Sequence, residues 1–198
     1  MRVAVFSLAL AVAAAGAAMA DSLRTPADFQ SIHDRAARSA AIFGEIGKVI
    51  ESPRCMNCHP AGDRPTQGDD FHPHNPPVVR GAADFGAPGL QCTTCHGPKN
   101  TPIVTSSIRS VPGNPAWRLA PAEMGWTGKT LRDICVQIKD PKRNGGRDLE
   151  KIYAHMASDD LVGWGWAPGD GRAPAPGTQK ALGDLVRAWI DTGAACPG

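Results

Sequence analysis

The sequence predicts a mainly α-helical domain with extensive coil. Four segments carry apolar residues at helical spacing, and the alternating pattern typical of strands is almost absent. The 198 residues include 22 glycines and 18 prolines, spread between the periodic segments rather than collected in one linker. We therefore expect short helices joined by long ordered loops.

The first helix is predicted to begin at Thr25. Thr25-Pro26-Ala27-Asp28 provides a capping residue, a proline at the first helical position and an acidic residue three positions after the cap. Ser52-Pro53 should stop this helix. Its apolar stripe is Phe29, Ile32, Ala36, Ala40, Phe43, Ile46 and Ile50.

Three further helices are predicted in the second half of the chain. Their apolar stripes are Leu131, Ile134, Cys135 and Ile138; Leu149, Ile152, Tyr153 and Met156; and Leu182, Leu185, Val186 and Trp189. The first of these should end at Asp140-Pro141, and the last should begin near Thr178 and close at Thr192-Gly193. The segments predicted to be irregular are 60–89, 98–121 and 163–169.

The N-terminus has the three parts of a cleavable secretory signal. Arg2 supplies a positive charge, an apolar stretch runs from Val3 to Leu10, and the alanine-rich end finishes with Ala18-Met19-Ala20. The apolar stretch is too short to span a bilayer. We expect residues 1–20 to be removed and residues 21–198 to form one periplasmic domain, with an uncleaved membrane anchor as the alternative. No later stretch is apolar for long enough to span a membrane.

The pattern C-x-x-C-H occurs twice. The first motif is Cys55-Met56-Asn57-Cys58-His59 and the second motif is Cys92-Thr93-Thr94-Cys95-His96. This spacing is typical of c-type haem attachment, because two thiols must reach two vinyl groups on one edge of a porphyrin while the next residue turns its imidazole toward the iron. The alternative is a zinc site of four thiolates, which needs no histidine after each pair.

The two motifs therefore predict a small dihaem cytochrome c-type domain wrapped around two covalent haem c groups. Cys55, Cys58, Cys92 and Cys95 would bind the porphyrins. His59 and His96 would be the first axial ligands of the two irons. The sixth position of each iron sets its redox behaviour, since a methionine, a second histidine or an open site gives different potentials and reactivity.

The candidates for the sixth position outnumber the two sites. They are His33, His72, His74, His155, Met56, Met124 and Met156. His74 is preferred to His72 because the prolines that follow it should hold the chain stiffly. His155 lies beside the stripe of its helix, whereas Met156 lies inside it, where a methionine more often packs than binds metal. We expect His74 and His155, and leave His33, His72, Met124 and Met156 open.

Cys135 and Cys196 are the two cysteines outside the motifs. Free thiols are uncommon in an oxidising compartment. We therefore predict a disulfide between them, which would pin the C-terminal tail to the helix of Ile134. A thiolate axial ligand from Cys135 is the alternative.

The charge pattern predicts no nucleic-acid partner. The formal net charge is +2, Arg2 is the only charge in the expected leader, and no basic stripe is present. The motifs instead favour an electron carrier. The alternatives are a dihaem peroxidase-like enzyme with one open iron and Glu123 or a displaced histidine as its acid–base group, and a haem-based sensor or store.

Four segments resemble exported bacterial proteins described as "isoquinoline 1-oxidoreductase subunit". They read SPRCMNCHPAGDRP from Ser52, EMGW from Glu123, IKDPKRNGG from Ile138 and LVGWGW from Leu161. The likeness covers nearly the whole expected mature chain. It implies a dihaem cytochrome that takes electrons from a periplasmic molybdenum hydroxylase of the xanthine oxidase type. We expect another cytochrome or a respiratory acceptor to receive these electrons.

The same resemblance extends to His74 and His155, which it implies as distal ligands. A more general likeness, in cysteine spacing and expected bis-histidine ligation, is to the small dihaem subunit of periplasmic nitrate reductase.

Overall fold

The computed structural model describes residues 22–103 and 109–198, where six α-helices dominate. They are α1 (Arg35–Ile50), α2 (Pro53–Met56), α3 (Leu131–Lys139), α4 (Leu149–Ser158), α5 (Asp160–Gly163) and α6 (Gln179–Asp191). The predicted mainly α class with extensive coil is confirmed. The expected signal peptide, 1–20, lies outside the described residues. None of the described helices has the length and apolar character needed to cross a bilayer.

Strands are limited to three antiparallel ribbons in the described ranges, each made of two-residue strands. The pairs are β1 (Thr66–Gln67) with β2 (His72–Pro73), β3 (Gly86–Ala87) with β4 (Leu90–Gln91), and β5 (Thr101–Pro102) with β6 (Ser110–Val111). The first two ribbons lie between the motifs, where the sequence predicts irregular structure. A left-handed glycine, Gly89 with φ +83°, allows the tight turn from β3 to β4.

The predicted first helix is divided into two parts, so its predicted start is wrong. Thr25 opens only a short 3-10 turn, Pro26–Phe29, in which the Asp28 carboxylate accepts hydrogen bonds from the Thr25 backbone and hydroxyl. Asp34 then caps α1 by accepting a hydrogen bond from the backbone N–H of Ala37 at 2.6 Å. A second strong cap thus restarts the helix.

The three later helices agree with the sequence pattern. Thr130, Asp148 and Thr178 cap α3, α4 and α6 through their side chains. The segment 163–169 is more regular than predicted, since α5 is followed directly by the 3-10 turn Trp164–Trp166.

The core lies mainly where α6 packs against α1 and α4. Phe43 and Trp189 are each 1% exposed, and their ring centroids are 5.0 Å apart. The buried hydroxyl of Ser39 donates to the Trp189 carbonyl and accepts from the Ala195 backbone N–H, which ties α1 to the end of the chain. The C-terminal tail is therefore part of the core.

The predicted disulfide is confirmed. Cys135 in α3 and Cys196 in the C-terminal tail are joined by an S–S bond of 2.07 Å. The Cys135 sulfur is therefore committed, and the alternative of a Cys135 thiolate as an iron ligand is wrong.

Candidate functional site

Each C-x-x-C-H motif folds as one short helical turn. In the first motif, the backbone N–H of Cys58 donates to the Cys55 carbonyl at 3.1 Å. In the second, the N–H groups of Cys95 and His96 both donate to the Cys92 carbonyl, at 3.2 and 3.0 Å. Residues three apart on such a turn share one face, so the two thiols of each motif lie together. All four thiols are unpaired.

The imidazole of His59 is fixed by a hydrogen bond and by an aromatic wall. Its Nδ1–H donates to the carbonyl of Met124 at 2.8 Å. Its ring stacks on the indole of Trp126, with centroids 3.5 Å apart and planes 8° apart. The backbone N–H of Trp126 donates back to the His59 carbonyl at 2.8 Å. A hydrogen bond at Nδ1 fixes the tautomer and leaves Nε2 as the metal-binding atom.

His96 in the second motif has the same arrangement, built from a different part of the chain. Its Nδ1–H donates to the carbonyl of Pro112 at 2.9 Å. The indole of Trp117 stacks on the ring, with centroids 4.7 Å apart and planes 17° apart. Pro112 follows directly after β6, so the last ribbon positions this acceptor. Sequence reasoning gave no role to Trp117 or Pro112, because both lie in a segment without periodicity.

His74 lies beside His96. The two ring centroids are 5.9 Å apart, and the planes meet at 62°. A metal ion held about 2 Å from a nitrogen of each imidazole separates the ring centroids by roughly 6 Å. The Nδ1–H of His74 donates to the Pro76 carbonyl at 2.9 Å. His74 therefore has the position and the tautomer of a second ligand opposite His96.

His155 is half-buried near the C-terminal end of α4. Burial lowers the pKa of His59 to about 3, against the opposing effect of its hydrogen bond to Met124, and the charges of His155 and Arg80 lower it further. The Nδ1 of His155 is hydrogen-bonded to Oδ2 of Asp159 at 2.9 Å.

The four imidazoles of His59, His96, His74 and His155 share one hydrogen-bond arrangement. Every Nδ1 has an oxygen acceptor, and no Nε2 of the four has a hydrogen-bond partner in the part of the chain that the structure describes. Two of them, His96 and His74, also lie with their ring centroids 5.9 Å apart. Imidazoles held in this tautomer are suited to bind metal through Nε2.

The other two histidines are placed differently. Both nitrogens of His72 are engaged, Nδ1 by the Asp70 carboxylate and Nε2 by the Gln67 amide. The ring is also largely exposed. His33 is exposed, in the segment between the 3-10 turn and α1. Neither side chain is directed to a motif by a described contact.

The methionine candidates pack in the protein interior. Met124 is 5% exposed and Met156 is 7% exposed, both within the hydrophobic core, and Met56 packs against it. The carbonyl of Met124 faces Nδ1 of His59, which is the side of that ring away from Nε2. Met124 is therefore poorly placed to bind an iron opposite His59.

The two motifs differ in their burial. Burial raises the pKa of the Cys55 thiol to about 12 and that of Cys58 to about 11, although each residue keeps some accessible surface. Burial also raises the pKa of Cys92, but Cys95 is exposed. The first motif thus lies deeper in the protein than the second.

The cysteine pairs do not converge on one point. No group of three or more His, Cys, Asp or Glu side chains within 22–103 and 109–198 is arranged to hold a metal ion. A four-thiolate zinc site would require all four motif cysteines, which the described ranges include. The geometry therefore disfavours the zinc alternative.

The surroundings of the first motif fit a porphyrin with its carboxylates. The indole Nε1–H of Trp126 and the Nε–H of Arg80 are buried and lack a hydrogen-bond partner among the described residues. Arg80 also donates to the carbonyls of Pro60 and Gly62, just after His59. Buried donors normally have partners. Two unsatisfied donors near the His59 imidazole and two thiols fit a haem at this position.

Comparisons of the chain with protein-family models, with curated proteins and with solved structures found no significant match.

Proposed function

We propose that this protein is a dihaem c-type cytochrome that carries electrons. The observation that supports it most strongly is the placement of His74 beside the motif histidine His96, with Nδ1 hydrogen-bonded in both of these imidazoles and in His59 and His155. Because His74 lies at the second motif, we assign His155 as the second ligand at the first motif. A zinc site or a purely structural thiol pair would have no use for four imidazoles oriented in this way.

The cysteines would hold two haem c groups through thioether bonds. Cys55 and Cys58 bind the first haem, and Cys92 and Cys95 bind the second haem. Each haem, when bound, supplies a one-electron couple between ferric and ferrous iron. Cys135 and Cys196 take no part in haem binding, because they are joined to each other in a disulfide.

The chain's own contribution is to fix the ligands. The carbonyls of Met124 and Pro112 hold the proximal imidazoles in the tautomer that presents Nε2. The indoles of Trp126 and Trp117 cover one face of each ring and restrict its rotation. Rigid ligands keep reorganisation small when an electron arrives or leaves, which suits a carrier.

Two histidines at each iron leave no open position, which favours a carrier over a peroxidase. The acid–base group considered for a peroxidase, Glu123, is exposed. It precedes Met124, whose carbonyl binds the proximal side of His59. Glu123 is thus on the wrong side of the first haem to act on a ligand of an open iron. A haem-based sensor or store likewise lacks support from the site geometry.

The proposed location and partners rest on the sequence. The N-terminal pattern supports export to the periplasm, and the resemblance supports a molybdenum hydroxylase as electron donor. The next carrier would be another cytochrome or a respiratory acceptor. Bis-histidine ligation gives lower potentials than histidine–methionine ligation. Such potentials suit a donor that delivers electrons through iron–sulfur centres.

The direct test is the intact mass of the exported chain. We expect residues 21–198 plus two haem groups, and a pyridine haemochrome assay should give two haems per chain. Cys58→Ala and Cys95→Ala should each remove one haem. The matched control is the double variant Cys135→Ser/Cys196→Ser, which alters two cysteines outside the motifs and should keep both haems. Bound zinc, or one haem in the unmodified chain, would overturn the proposal.

A further inference from the structure

The two distal histidines differ in the group that accepts the hydrogen bond from Nδ1. For His155 the acceptor is the carboxylate of Asp159, at 2.9 Å. For His74 it is the neutral carbonyl of Pro76, also at 2.9 Å. Both proximal imidazoles donate to neutral carbonyls, those of Met124 and Pro112. His155 is thus the one member of the four that is bonded to an anionic group.

Two hydrogen bonds besides the one to His155 fix the position of Asp159. Its Oδ1 caps α5 by accepting from the backbone N–H of Leu161 at 2.9 Å. Its backbone carbonyl accepts from the side-chain amide of Gln179, at the start of α6, at 2.9 Å. Oδ2 is then held toward His155, one helical turn earlier. The carboxylate is therefore oriented by the fold and does not depend on the imidazole for its position.

Two cations lie near this pair. Arg147 and Lys151 border the same surface cleft of about 290 Å³ as His155 and Asp159. Arg147 acts on Asp159 through its charge, while its Nη1 donates to the carbonyl of Asn144 at 2.9 Å. No salt bridge joins Asp159 to either cation in the described ranges. The direct side-chain partner of the Asp159 carboxylate is the imidazole of His155.

We propose that Asp159 is a positioning residue that lowers the reduction potential of the haem that His155 binds, which is the first haem because His74 lies beside His96. This inference rests on the proposed function. A carboxylate that accepts the Nδ1 proton makes an imidazole more electron-donating toward its metal. The ferric form carries one more positive charge than the ferrous form, so the aspartate favours it. Burial around Cys55 and Cys58 acts in the opposite direction, because a buried site disfavours the additional charge. Asp159 offsets that effect at the first haem.

The second haem differs from the first in both the burial of its motif and the charge of the hydrogen-bond acceptor at its distal ligand. Its motif is more exposed at Cys95, and its distal ligand donates to a neutral carbonyl. The structure thus gives the protein separate control of its two potentials. A single charge at the N-cap of α5 adjusts one haem without a change at the other.

The test is a spectroelectrochemical titration of the haem-loaded Asp159→Asn variant. Asparagine has nearly the same shape and also caps helices well, so α5 should keep its start. We expect one of the two potentials to rise, with the reduction equilibrium constant of that haem increasing roughly tenfold, or about 59 mV. The other potential should stay unchanged. Asp159→Ser, another uncharged cap, should shift the same haem in the same direction and serves if the asparagine variant loses haem.

The matched control is Asp148→Asn. Asp148 caps α4 by accepting from the backbone N–H of Lys151 at 2.8 Å and touches no histidine. It should leave both potentials unchanged. An equal shift in this control, or no shift in either Asp159 variant with both haems bound, would overturn the inference. Absence of haem from the unmodified chain would instead overturn the proposed function.

Discussion

Trp126 lies flat against His59, with ring centroids 3.5 Å apart and only 8° between the planes. The indole is 3% exposed, and its Nε1–H has no hydrogen-bond partner in the described structure. Trp117 covers His96 in the same manner at 4.7 Å. The repeated arrangement indicates that an aromatic face, together with the Nδ1–H hydrogen bond to a backbone carbonyl, holds each motif imidazole.

This relationship predicts different effects for two replacements of Trp126. Trp126→Ala should lower the free energy of unfolding by about 3–5 kcal/mol, because it removes a large buried side chain and the stacking contact of that side chain with His59. Trp126→Phe keeps an aromatic face and removes only the indole Nε1–H, which has no partner among the described residues, so it should cost less than half as much. Urea denaturation monitored by circular dichroism measures both. Equal losses in the two variants would contradict the stacking argument.

Arg80 joins the loop between the two motifs to the chain just after the first motif. It is 4% exposed, forms an ion pair with Asp84 at 2.7 Å, and donates to the carbonyls of Pro60, Gly62 and Ala120. Arg80→Met would leave a carboxylate and three carbonyls without their donor. We expect a loss of about 3–5 kcal/mol in the free energy of unfolding.

The control for Arg80 is Arg118→Met. Arg118 is exposed and donates to the Ala83 carbonyl alone among described hydrogen bonds. Surface replacements of this kind stay within about 0.5 kcal/mol. Comparable losses at Arg80 and Arg118, measured by the same urea titration, would show that burial of the Arg80 ion pair is unimportant.

The disulfide predicts a measurable stability difference. Cys135 and Cys196 are 61 residues apart in sequence, and closing a loop of that length restricts the unfolded chain by about 4 kcal/mol in the chain-entropy model. Cys135→Ser/Cys196→Ser should lose stability of that order. Thiol labelling of the denatured, unreduced protein should leave both cysteines unmodified, and quantitative labelling of the pair would contradict the bond.

The parts that could be predicted from the sequence depend on local signals. The starts of α3, α4 and α6 follow from Thr130, Asp148 and Thr178, each a side chain that caps the helix after it. Cys135 and Cys196 could be paired because they are the only cysteines outside the two motifs. In each case the information lies within a few residues or in a simple count.

The parts that could not be predicted depend on long-range packing or on competing local signals. The chain around Thr25 and Asp34 contains two good caps, and periodicity alone does not show which one begins the long helix. Trp117 and Trp126 reach their histidines through coil, where no period fixes the direction of a side chain. The position of His74 beside His96 likewise depends on how the loop between the motifs folds, which no local pattern fixes.

The capping box of α3 predicts a loss of stability in acid. The Thr130 hydroxyl and backbone N–H donate to the Asp133 carboxylate, which lowers the pKa of Asp133 below 3.8 in the folded state. Because the folded pKa lies below the unfolded one, the stabilisation is complete above about pH 4 and disappears as the pH falls through the folded pKa. Asp133→Asn should show a weaker fall in unfolding free energy between pH 5 and pH 3. An identical fall in both proteins would contradict the linkage.

The distal ligands can be tested one haem at a time. His74→Ala and His155→Ala should each convert one haem to a form that binds carbon monoxide when reduced, because removal of the sixth ligand opens the iron. His72→Ala is the matched control, since His72 is two residues from His74 but has both nitrogens engaged by Asp70 and Gln67. It should bind no carbon monoxide.

The pairing itself is tested by combining these replacements with the loss of one haem. Cys58→Ala removes the first haem, so His155→Ala in that background should leave a second haem that stays closed to carbon monoxide. His74→Ala in the same background should leave an open one, because His74 lies 5.9 Å from His96. The reverse result would exchange the two distal ligands. A near-infrared sulfur-to-iron band in the oxidised unmodified protein would instead assign one sixth position to a methionine.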